Sequence, residues 1–410
     1  MIHDGYGWYM ASTGLDSKGL EGVVAATTQL SHVDGERGEL IIAGFPVGEL
    51  AERATFEETT WLLWHGALPS ARQLQAFRAV LAASRALPRA TIDLLRECAS
   101  HRLDAMDALR IAAGTISLEE AGGAGFDQPA LRIVAQFPTI VAAFWRLRAE
   151  NEPIAPRADL GHAANFLYML TGQTPNPEPV RGLETYLNTV VDHGLNASTF
   201  TARIITSTGS DLVSAVVGAI GALKGPLHGG APGPALDMVL EIGDASRAEA
   251  LLRRKIEAGE KLMGFGHRVY KVRDPRADVL AAAAERMFTR AGDMSLYRLA
   301  RAVEATAIRL LDEYKPGRRL QTNVEFYTAL LLHGLGFDTA LFTPTFAISR
   351  VSGWIAHAFE QRRANRIIRP QSEYAGPRDR RWIPLPDRTE SIEDGAVERV
   401  MSAMGSPEAR

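Results

Sequence analysis

Apolar residues recur at three- and four-residue spacing in nearly every segment of this chain after residue 48, and this spacing constrains the fold more than any other feature. Residues so spaced line one face of an α-helix, and that face must be buried against another element. Helix starts are clearly marked. Thr55-Phe56-Glu57-Glu58 matches a capping box, and Asp274-Pro275 and Thr343-Pro344 each join a capping residue to a proline suited to the first helical position. The pattern predicts an all-α protein.

The N-terminal region is the exception to this helical pattern. Residues 23–33 and 39–45 are rich in Val, Thr, Ile and Leu, and residues 34–38 between them suit a turn. We therefore predict one small N-terminal β-hairpin. Near the other end, residues 375–388 carry arginines and prolines typical of an extended arm, and residues 389–410 fit a short surface helix.

The charge balance excludes a nucleic-acid-binding protein. The 410 residues carry 45 basic and 48 acidic side chains, a net charge of −3, and no run of five Lys or Arg occurs. Affinity for nucleic acid needs clustered positive charge. Hydrophobic residues at 46% instead indicate a chain that buries a core, and the length suggests roughly two to three domains.

Cysteine content and the lack of a long apolar segment indicate the compartment. The single cysteine, Cys98, excludes an intrachain disulfide framework and any multi-cysteine metal site, so a reducing, cytoplasmic setting is expected. The apolar stretch from Leu212 to Leu223 has about half the roughly 20 residues of a membrane-spanning helix. Residues 1–5 lack the features of a signal peptide, so we expect no membrane association.

Three histidines stand beside glycines: His193 before Gly194, His228 before Gly229, and His267 after Gly266. Because glycine interrupts helices, each histidine is expected on a loop or helix end, where main-chain groups can approach a ligand. A helix cap or a simple turn would explain each histidine singly. Their separations of 35 and 39 positions do not match zinc-ligand spacing, so no metal site is predicted.

Three arginines and one glutamate add candidate binding and catalytic groups. Arg276 follows a helix start, Arg350 lies inside a predicted helix, and Arg369 is flanked by two isoleucines and a proline. Arginines beside apolar residues often bind carboxylate or phosphate, although many arginines only cover solvated faces. Glu325 completes Thr322-Asn323-Val324-Glu325, so it is a candidate base and also fits a capping box.

Further motifs occur in a fixed order around these residues. They are Gly19-Leu20-Glu21-Gly22-Val23, Asn196-Ala197-Ser198-Thr199-Phe200, residues 221–231 ending in Pro226-Leu227-His228-Gly229-Gly230-Ala231, Met263-Gly264-Phe265-Gly266-His267-Arg268-Val269-Tyr270, Asn323-Val324-Glu325-Phe326-Tyr327, Leu341-Phe342-Thr343-Pro344 and Asn365-Arg366-Ile367-Ile368-Arg369-Pro370. Together they closely resemble the citrate synthase family across roughly residues 19–388.

The resemblance implies a helical homodimer with two domains per subunit. Residues 1–227 and 328–410, including the C-terminal arm, would form a large domain, and residues 228–327 a small domain that closes over the substrates. Arg369 matches an arginine that reaches the active site of the partner subunit in that family.

The resemblance also implies condensation of an acyl-CoA with oxaloacetate, without a cofactor beyond the substrates. Glu325 would be the base, His228 would donate a hydrogen bond to the thioester carbonyl, and His267 would polarise the ketone. Oxaloacetate would be bound by His193, His267, Arg276, Arg350 and the partner subunit's Arg369. Coenzyme A would lie against Met263, Gly264, Phe265 and Gly266, with Lys271 and Lys315 as phosphate partners.

Two departures from the family pattern leave alternatives open. Glu325 stands where aspartate is usual, and Ile42-Ala43-Gly44 stands where Tyr-Arg-Gly is common. A 2-methylcitrate synthase that prefers propionyl-CoA has the same fold and mechanism. Because one methylene changes pocket discrimination by only about 1–3 kcal/mol, the motifs do not distinguish it from a citrate synthase. A non-catalytic homologue that binds a metabolite is the second alternative, although the three histidines and three arginines are all present.

Overall fold

The computed structural model describes residues 18–20, 22–119, 127–229 and 232–387. The chain divides into two compact units, Met1–Ile368 and Arg369–Arg410. The predicted helix over 389–410 lies outside the described residues, as do Gly230 and Ala231 of the His228 motif. The predicted division at residues 228 and 327 falls within the first unit and stays a prediction.

The N-terminal strands form a three-stranded antiparallel sheet in the order β1-β2-β3, with β1 at Ser31–Asp34, β2 at Glu39–Ile42 and β3 at Phe45–Pro46. The predicted hairpin is therefore present, but its first strand is shorter than 23–33 and a third strand follows. Ile42 pairs with Phe45 across the two residues Ala43 and Gly44. Both have positive φ, 45° and 90°, as a tight hairpin turn with the right-handed strand twist requires.

The rest of the first unit is helical, as predicted. In the part of the chain that the structure describes, the helices are α1 (Val47–Arg53), α2 (Phe56–His65), α3 (Ala71–Ala83), α4 (Arg89–Ser100), α5 (Ala105–Ala113), α6 (Asp127–Arg148), α7 (His162–Thr171), α8 (Pro177–Val190), α9 (Ala197–Ser207), α10 (Leu212–Lys224), α11 (Pro232–Ile242), α12 (Ala248–Glu257), α13 (Pro275–Ala291), α14 (Ser295–Tyr314), α15 (Val324–Gly334) and α16 (Phe342–Arg363).

Local caps explain most of these helix boundaries. Thr55 forms the predicted capping box with Glu58 at the start of α2, and Asp274 caps α13 with Pro275 as its first residue. The start predicted at Thr343-Pro344 is wrong, because α16 begins at Phe342 after a 3-10 turn over Thr339–Leu341. Pro344 still lies in the first turn of α16, where its missing N–H breaks no helical hydrogen bond.

Two long helices form the centre of the core. α16 is buried on nearly every side and lies against α2, α6, α8, α9 and α10, with Val351, Trp354 and Ile355 fully buried. Among the described residues, Gln128–Arg148 in α6 is long and apolar enough to cross a membrane by length and composition, but 78% of its apolar window is buried. Such burial is typical of a core helix. Because α16 is likewise buried, the side chains that it contributes to the molecule are held in fixed positions.

The second unit has little regular structure in its described part. Residues 369–384 form neither helix nor strand, so the predicted arm over 375–388 has no regular structure up to residue 384, and a 3-10 turn follows within it at Leu385–Asp387. The Tyr374 hydroxyl donates a hydrogen bond to the Pro377 carbonyl at 2.8 Å.

Candidate active site

Side chains from five parts of the first unit meet in one site. The His193 and His267 rings lie 5.6 Å apart, centroid to centroid, and Arg276 Nη2 lies 3.4 Å from His267 Nε2. Glu325 and Arg350 lie close enough for their charges to act on Arg276 and on one another. These residues come from the loop after α8, the loop before α13, the first turns of α13 and α15, and the middle of α16.

His193 is held in the loop that follows α8, three residues beyond the last residue of that helix. Its Nε2 lies 3.1 Å from the Tyr270 hydroxyl. The next residue, Gly194, donates its N–H to Ser31 Oγ at 2.8 Å, and Ser31 donates to Asp192 Oδ2 at 2.5 Å. Burial, helped by Arg276, holds the pKa of His193 well below its usual range, so the ring is neutral at pH 7.

Asp192 belongs to a buried chain of polar groups behind His193. His357 on α16 lies 3.2 Å from Asp192 through Nε2, and Arg203 Nη1 donates to His357 Nδ1 at 2.9 Å. Arginine can only donate, so Nδ1 accepts and the proton of the neutral ring is on Nε2, directed at Asp192. Glu360 pairs with Arg203 at 2.6 Å and completes the chain. This network connects α9 and α16 to the loop that carries His193.

His267 is oriented by backbone N–H groups of the residues that follow it. Its Nδ1 accepts the N–H groups of Val269 and Tyr270 at 3.0 and 3.1 Å. Burial, with a contribution from Arg276, lowers the pKa of His267 to about 4, so the ring is neutral and its proton is on Nε2. The Nε2–H group and Arg276 Nη2 are then two donors 3.4 Å apart. This arrangement suits an oxygen atom of a ligand that accepts from both.

Arg276 is fixed by Asp274, the N-cap residue of its helix. Its Nε and Nη2 donate to the two carboxylate oxygens of Asp274 at 3.0 and 2.7 Å, and both side chains are buried. Asp274 Oδ2 also accepts the Val324 N–H at 3.2 Å. Asp274 therefore joins the start of α13 to the start of α15 and sets the distance between Arg276 and Glu325.

Glu325 lies in the first turn of α15 and is not part of a capping box. The N-cap is Asn323, whose side chain accepts the Glu325 N–H at 2.9 Å, whereas Thr322 donates its hydroxyl to Glu304 at 2.7 Å. Among the described residues, none donates a hydrogen bond to the Glu325 carboxylate. Burial raises the pKa of Glu325 to about 7, the Asp274 charge adds to this rise, and Arg276 opposes it. Glu325 is therefore a base poised near neutral pH.

His228 follows α10 and is oriented by Ser198. Its Nε2 lies 2.8 Å from Ser198 Oγ and 3.4 Å from the Ser198 N–H, which donates to it, so the ring proton is on Nδ1. Burial is the main reason that the pKa of His228 falls to about 4, and Arg350 adds to it. Gly229 is required at the next position, because a Cβ there would lie 2.4 Å from the Leu223 carbonyl oxygen. His228 thus presents a neutral N–H donor.

Arg350 is buried in the middle of α16 with only 1% of its surface exposed. Its Nε donates to the Val190 carbonyl at 2.7 Å, and its guanidinium lies 4.6 Å from the Phe346 ring centroid. Burial lowers the pKa of Arg350 to about 10, which leaves it charged at pH 7. No described carboxylate lies within ion-pair distance, so its remaining N–H groups can bind an anion.

The loop predicted to bind coenzyme A is joined to the start of α15. Gly264 O accepts the Asn323 N–H at 2.9 Å, and Gly266 N–H donates to Gln321 O at 2.7 Å. Both glycines have positive φ, and a Cβ on Gly264 would lie 3.0 Å from Phe326. Met263 and Phe265 pack partly buried against the core, whereas Lys271 is exposed and Lys315 follows the end of α14. Binding of coenzyme A by these residues stays a prediction.

Several residues that hold the site are not among the predicted site residues. They are Tyr270, Asp192, His357 and Ser198, together with Asp274, which the sequence marks only as a helix cap. Arg369 belongs to the second unit, so its predicted role stays a prediction. In the described ranges, no three His, Cys, Asp or Glu side chains group as a metal site.

Comparison with known proteins identifies the family to which this chain is similar. The family profile described as citrate synthase, C-terminal domain, matches residues 19–371. Citrate synthase 2 of Bacillus subtilis is 41% identical over 377 residues, covering 91% of this chain and 99% of that protein. A 2-methylcitrate synthase of Mycobacterium tuberculosis is 42% identical over 369 residues, covering 88% and 91%.

Solved structures of similar proteins have the same fold. Citrate synthase from Thermoplasma acidophilum, solved as a ternary complex with carboxymethyl coenzyme A and oxaloacetate, is 30% identical. Its alignment covers 91% of this chain and 99% of that one, with a TM-score of 0.82.

Proposed function

Because this chain belongs to the citrate synthase family of condensing enzymes, we propose that it joins acetyl-CoA to oxaloacetate and hydrolyses the product thioester to release citrate and CoA. The observation that carries the proposal is the position of Glu325. A carboxylate with a pKa of about 7 lies in one site with two buried arginines and neutral histidine donors. A base next to anion-binding groups fits proton abstraction from a neutral thioester beside a dicarboxylate.

The first step is removal of a proton from the methyl carbon next to the thioester. Glu325 accepts this proton, and the enolate charge develops on the thioester oxygen. His228, whose Nδ1–H is directed away from Ser198, donates a hydrogen bond to that oxygen. A neutral donor stabilises the developing charge as it forms, because it needs no reorganisation during the step.

The second step forms the carbon–carbon bond at the ketone of oxaloacetate. Arg276 and Arg350 bind the carboxylates of oxaloacetate, and the neutral ring of His193 forms a hydrogen bond to the substrate beside them. The enolate carbon attacks the ketone carbon, and His267, which polarises the ketone oxygen, transfers its Nε2 proton to it, so that the oxygen becomes a hydroxyl; the proton that Glu325 removed replaces the one that His267 gave up. Water then adds to the thioester carbonyl, CoA leaves as its thiol, and the new carboxylate is released. Burial of the arginines makes their charge act strongly on the dianion.

The choice between acetyl-CoA and propionyl-CoA is tested by measuring CoA release with oxaloacetate from each thioester in parallel. We expect a higher kcat/KM for acetyl-CoA. A preference for propionyl-CoA would favour a 2-methylcitrate synthase, a name that similar proteins also carry. Tight oxaloacetate binding by calorimetry without CoA release from either thioester would instead identify a non-catalytic homologue.

The proposal includes a cytoplasmic homodimer that supplies citrate to the tricarboxylic acid cycle, with the partner subunit's Arg369 completing each site. Two variants, Arg369→Ala and Glu325→Gln, test this by subunit complementation. Each is expected to be nearly inactive alone. Coexpression should restore up to about a quarter of wild-type activity, since half of the dimers then contain one complete site. No restoration would show that Arg369 acts within its own subunit.

A further inference from the structure

We propose that a cavity on the far side of α16 from the active site binds a planar aromatic anion. The cavity, called here the aromatic pocket, has a volume of about 440 Å³ and lies among α2, α3, α6 and the end of α16. Pockets of this volume suit small organic ligands. The residues that line the aromatic pocket are Trp61, Trp64, His65, Phe77, Leu131, Phe359, Arg362 and Arg363.

Aromatic rings form the walls of the aromatic pocket and hold one another in place. Trp61 and Phe77 meet edge to face with centroids 5.5 Å apart, as do Trp64 and Phe359. Trp64 also donates its Nε1–H to the Ser352 carbonyl at 3.2 Å, so its ring cannot turn into the cavity without losing this bond. The walls are therefore formed in advance, and edge-to-face contacts of this kind favour an aromatic guest.

The charge of the lining selects an anion. The eight lining residues include two arginines and a histidine, and no carboxylate. Arg363 Nη2 donates to the Trp64 carbonyl at 3.4 Å, which holds its guanidinium across the end of α2. Arg363 forms no ion pair with any residue that the structure describes. Its other N–H groups can therefore bind a carboxylate, sulfonate or phosphate carried by the aromatic ligand.

The aromatic pocket is separate from the active site. The two share no residue. Arg350 and Phe359 are nine residues apart on α16, which corresponds to about 13 Å along the helix. Occupancy of the aromatic pocket is therefore expected to be compatible with substrates in the active site.

Fluorescence titration with 8-anilinonaphthalene-1-sulfonate tests the proposal, because this probe joins aromatic rings to one anionic group. We expect one probe per chain, with quenching of tryptophan fluorescence. The neutral analogue N-phenyl-1-naphthylamine should bind at least tenfold more weakly. Saturating oxaloacetate and CoA should leave the affinity for the sulfonate unchanged. Displacement by these ligands, or equal affinity for both probes, would overturn the proposal.

Variants localise the binding. Arg363→Gln is expected to weaken the sulfonate about tenfold, which is the effect of losing a charge-assisted hydrogen bond, and Arg363→Lys to recover part of it. Arg247→Gln, at an exposed position on another surface, is the matched control and should bind as wild type. Retained condensation activity shows that each variant is folded. An unchanged affinity for the sulfonate in Arg363→Gln contradicts the proposal. Loss of sulfonate binding as the chain self-associates at higher protein concentration also contradicts it, because another copy of the chain would then cover the aromatic pocket.

Discussion

The active site has two walls that are built differently. The α16 wall contains Arg350 and the loop that carries His193. Arg350 is held by its hydrogen bond to the Val190 carbonyl, and the loop is held by the contact between Asp192 and His357 of α16. The α13–α15 wall contains His267, Arg276 and Glu325, and it is assembled from glycine turns and helix N-termini joined by Asp274. Each wall contributes one buried arginine, Arg350 in the first and Arg276 in the second, but the base Glu325 and the histidine that polarises the ketone lie only in the second. Changes in the two walls should therefore affect different kinetic constants.

Glu325→Gln should produce the largest effect, because it removes the base from the α13–α15 wall. We expect kcat to fall by about 10³- to 10⁴-fold, which is the upper range for general-base catalysis. Oxaloacetate affinity, measured by calorimetry, should stay within a few-fold of wild type because the arginines are unchanged. Glu97→Gln on the exposed face of α4 is the control. Near-wild-type turnover by Glu325→Gln would remove Glu325 from the mechanism.

Glu325→Asp sharpens this result, because it keeps the acid and shortens its reach by one methylene. We expect kcat to fall about a hundredfold, since a displacement of about 1 Å at a reacting centre has this effect. The measurement is kcat at saturating substrates. Equal or higher activity in Glu325→Asp would show that the backbone of α15 is not adjusted to the longer side chain.

The pH profile should show a single base with a pKa of about 7. Since Glu325 must be ionised to accept a proton, kcat/KM is expected to fall about tenfold for each pH unit below 7.

The contribution of Glu325 to stability changes with pH in the direction opposite to its contribution to activity. The pKa of Glu325 is raised above its unfolded value of 4.5, so its contribution to the free energy of unfolding is present below pH 4.5 and is lost as pH rises towards 7. Glu325→Gln cannot ionise, so the pH dependence of its unfolding, subtracted from that of wild type, isolates this contribution. No difference between the two would contradict the raised pKa.

His357→Gln should produce the smallest effect, because it alters the α16 wall only behind His193. Glutamine can form one of the two hydrogen bonds of His357, but it lacks the ring whose two nitrogens contact Arg203 and Asp192 at the same time. We expect KM for oxaloacetate to rise about fivefold, in line with the roughly 1 kcal/mol of one hydrogen bond, and kcat to change less than twofold. A loss confined to kcat would reverse the assignment of roles to the two walls.

The same contrast explains how much of the molecule could be predicted from the sequence. The α13–α15 wall is built from local signals, so Asp274-Pro275 and the glycines near His267 could be located in advance. Thr322 and Asn323 are adjacent potential caps, and only the packing of Thr322 against Glu304 decides that Asn323 is the N-cap.

The α16 wall depends on contacts between distant parts of the chain. Asp192 and His357 are 165 positions apart, and α16 is buried on almost all sides, so no periodicity marks the inward direction of Arg350. The third strand is not predicted from the sequence, because it has only two residues and follows a two-residue turn in which Ala43, a non-glycine residue, has positive φ.

The hydrogen bonds between the Met263–Gly266 loop and the start of α15 have a mechanical consequence. Asn323 donates its main-chain N–H to the Gly264 carbonyl and its side-chain amide to the Gly266 carbonyl, and the Gly266 N–H donates to the Gln321 carbonyl. The loop and the start of the Glu325 helix are therefore joined into one unit, called here the lever. A displacement of this lever moves the base and the loop by the same amount. Hydrogen–deuterium exchange of the Gly266 and Asn323 amide protons therefore measures how often this connection opens, because these protons exchange with solvent only when the loop separates from the start of α15.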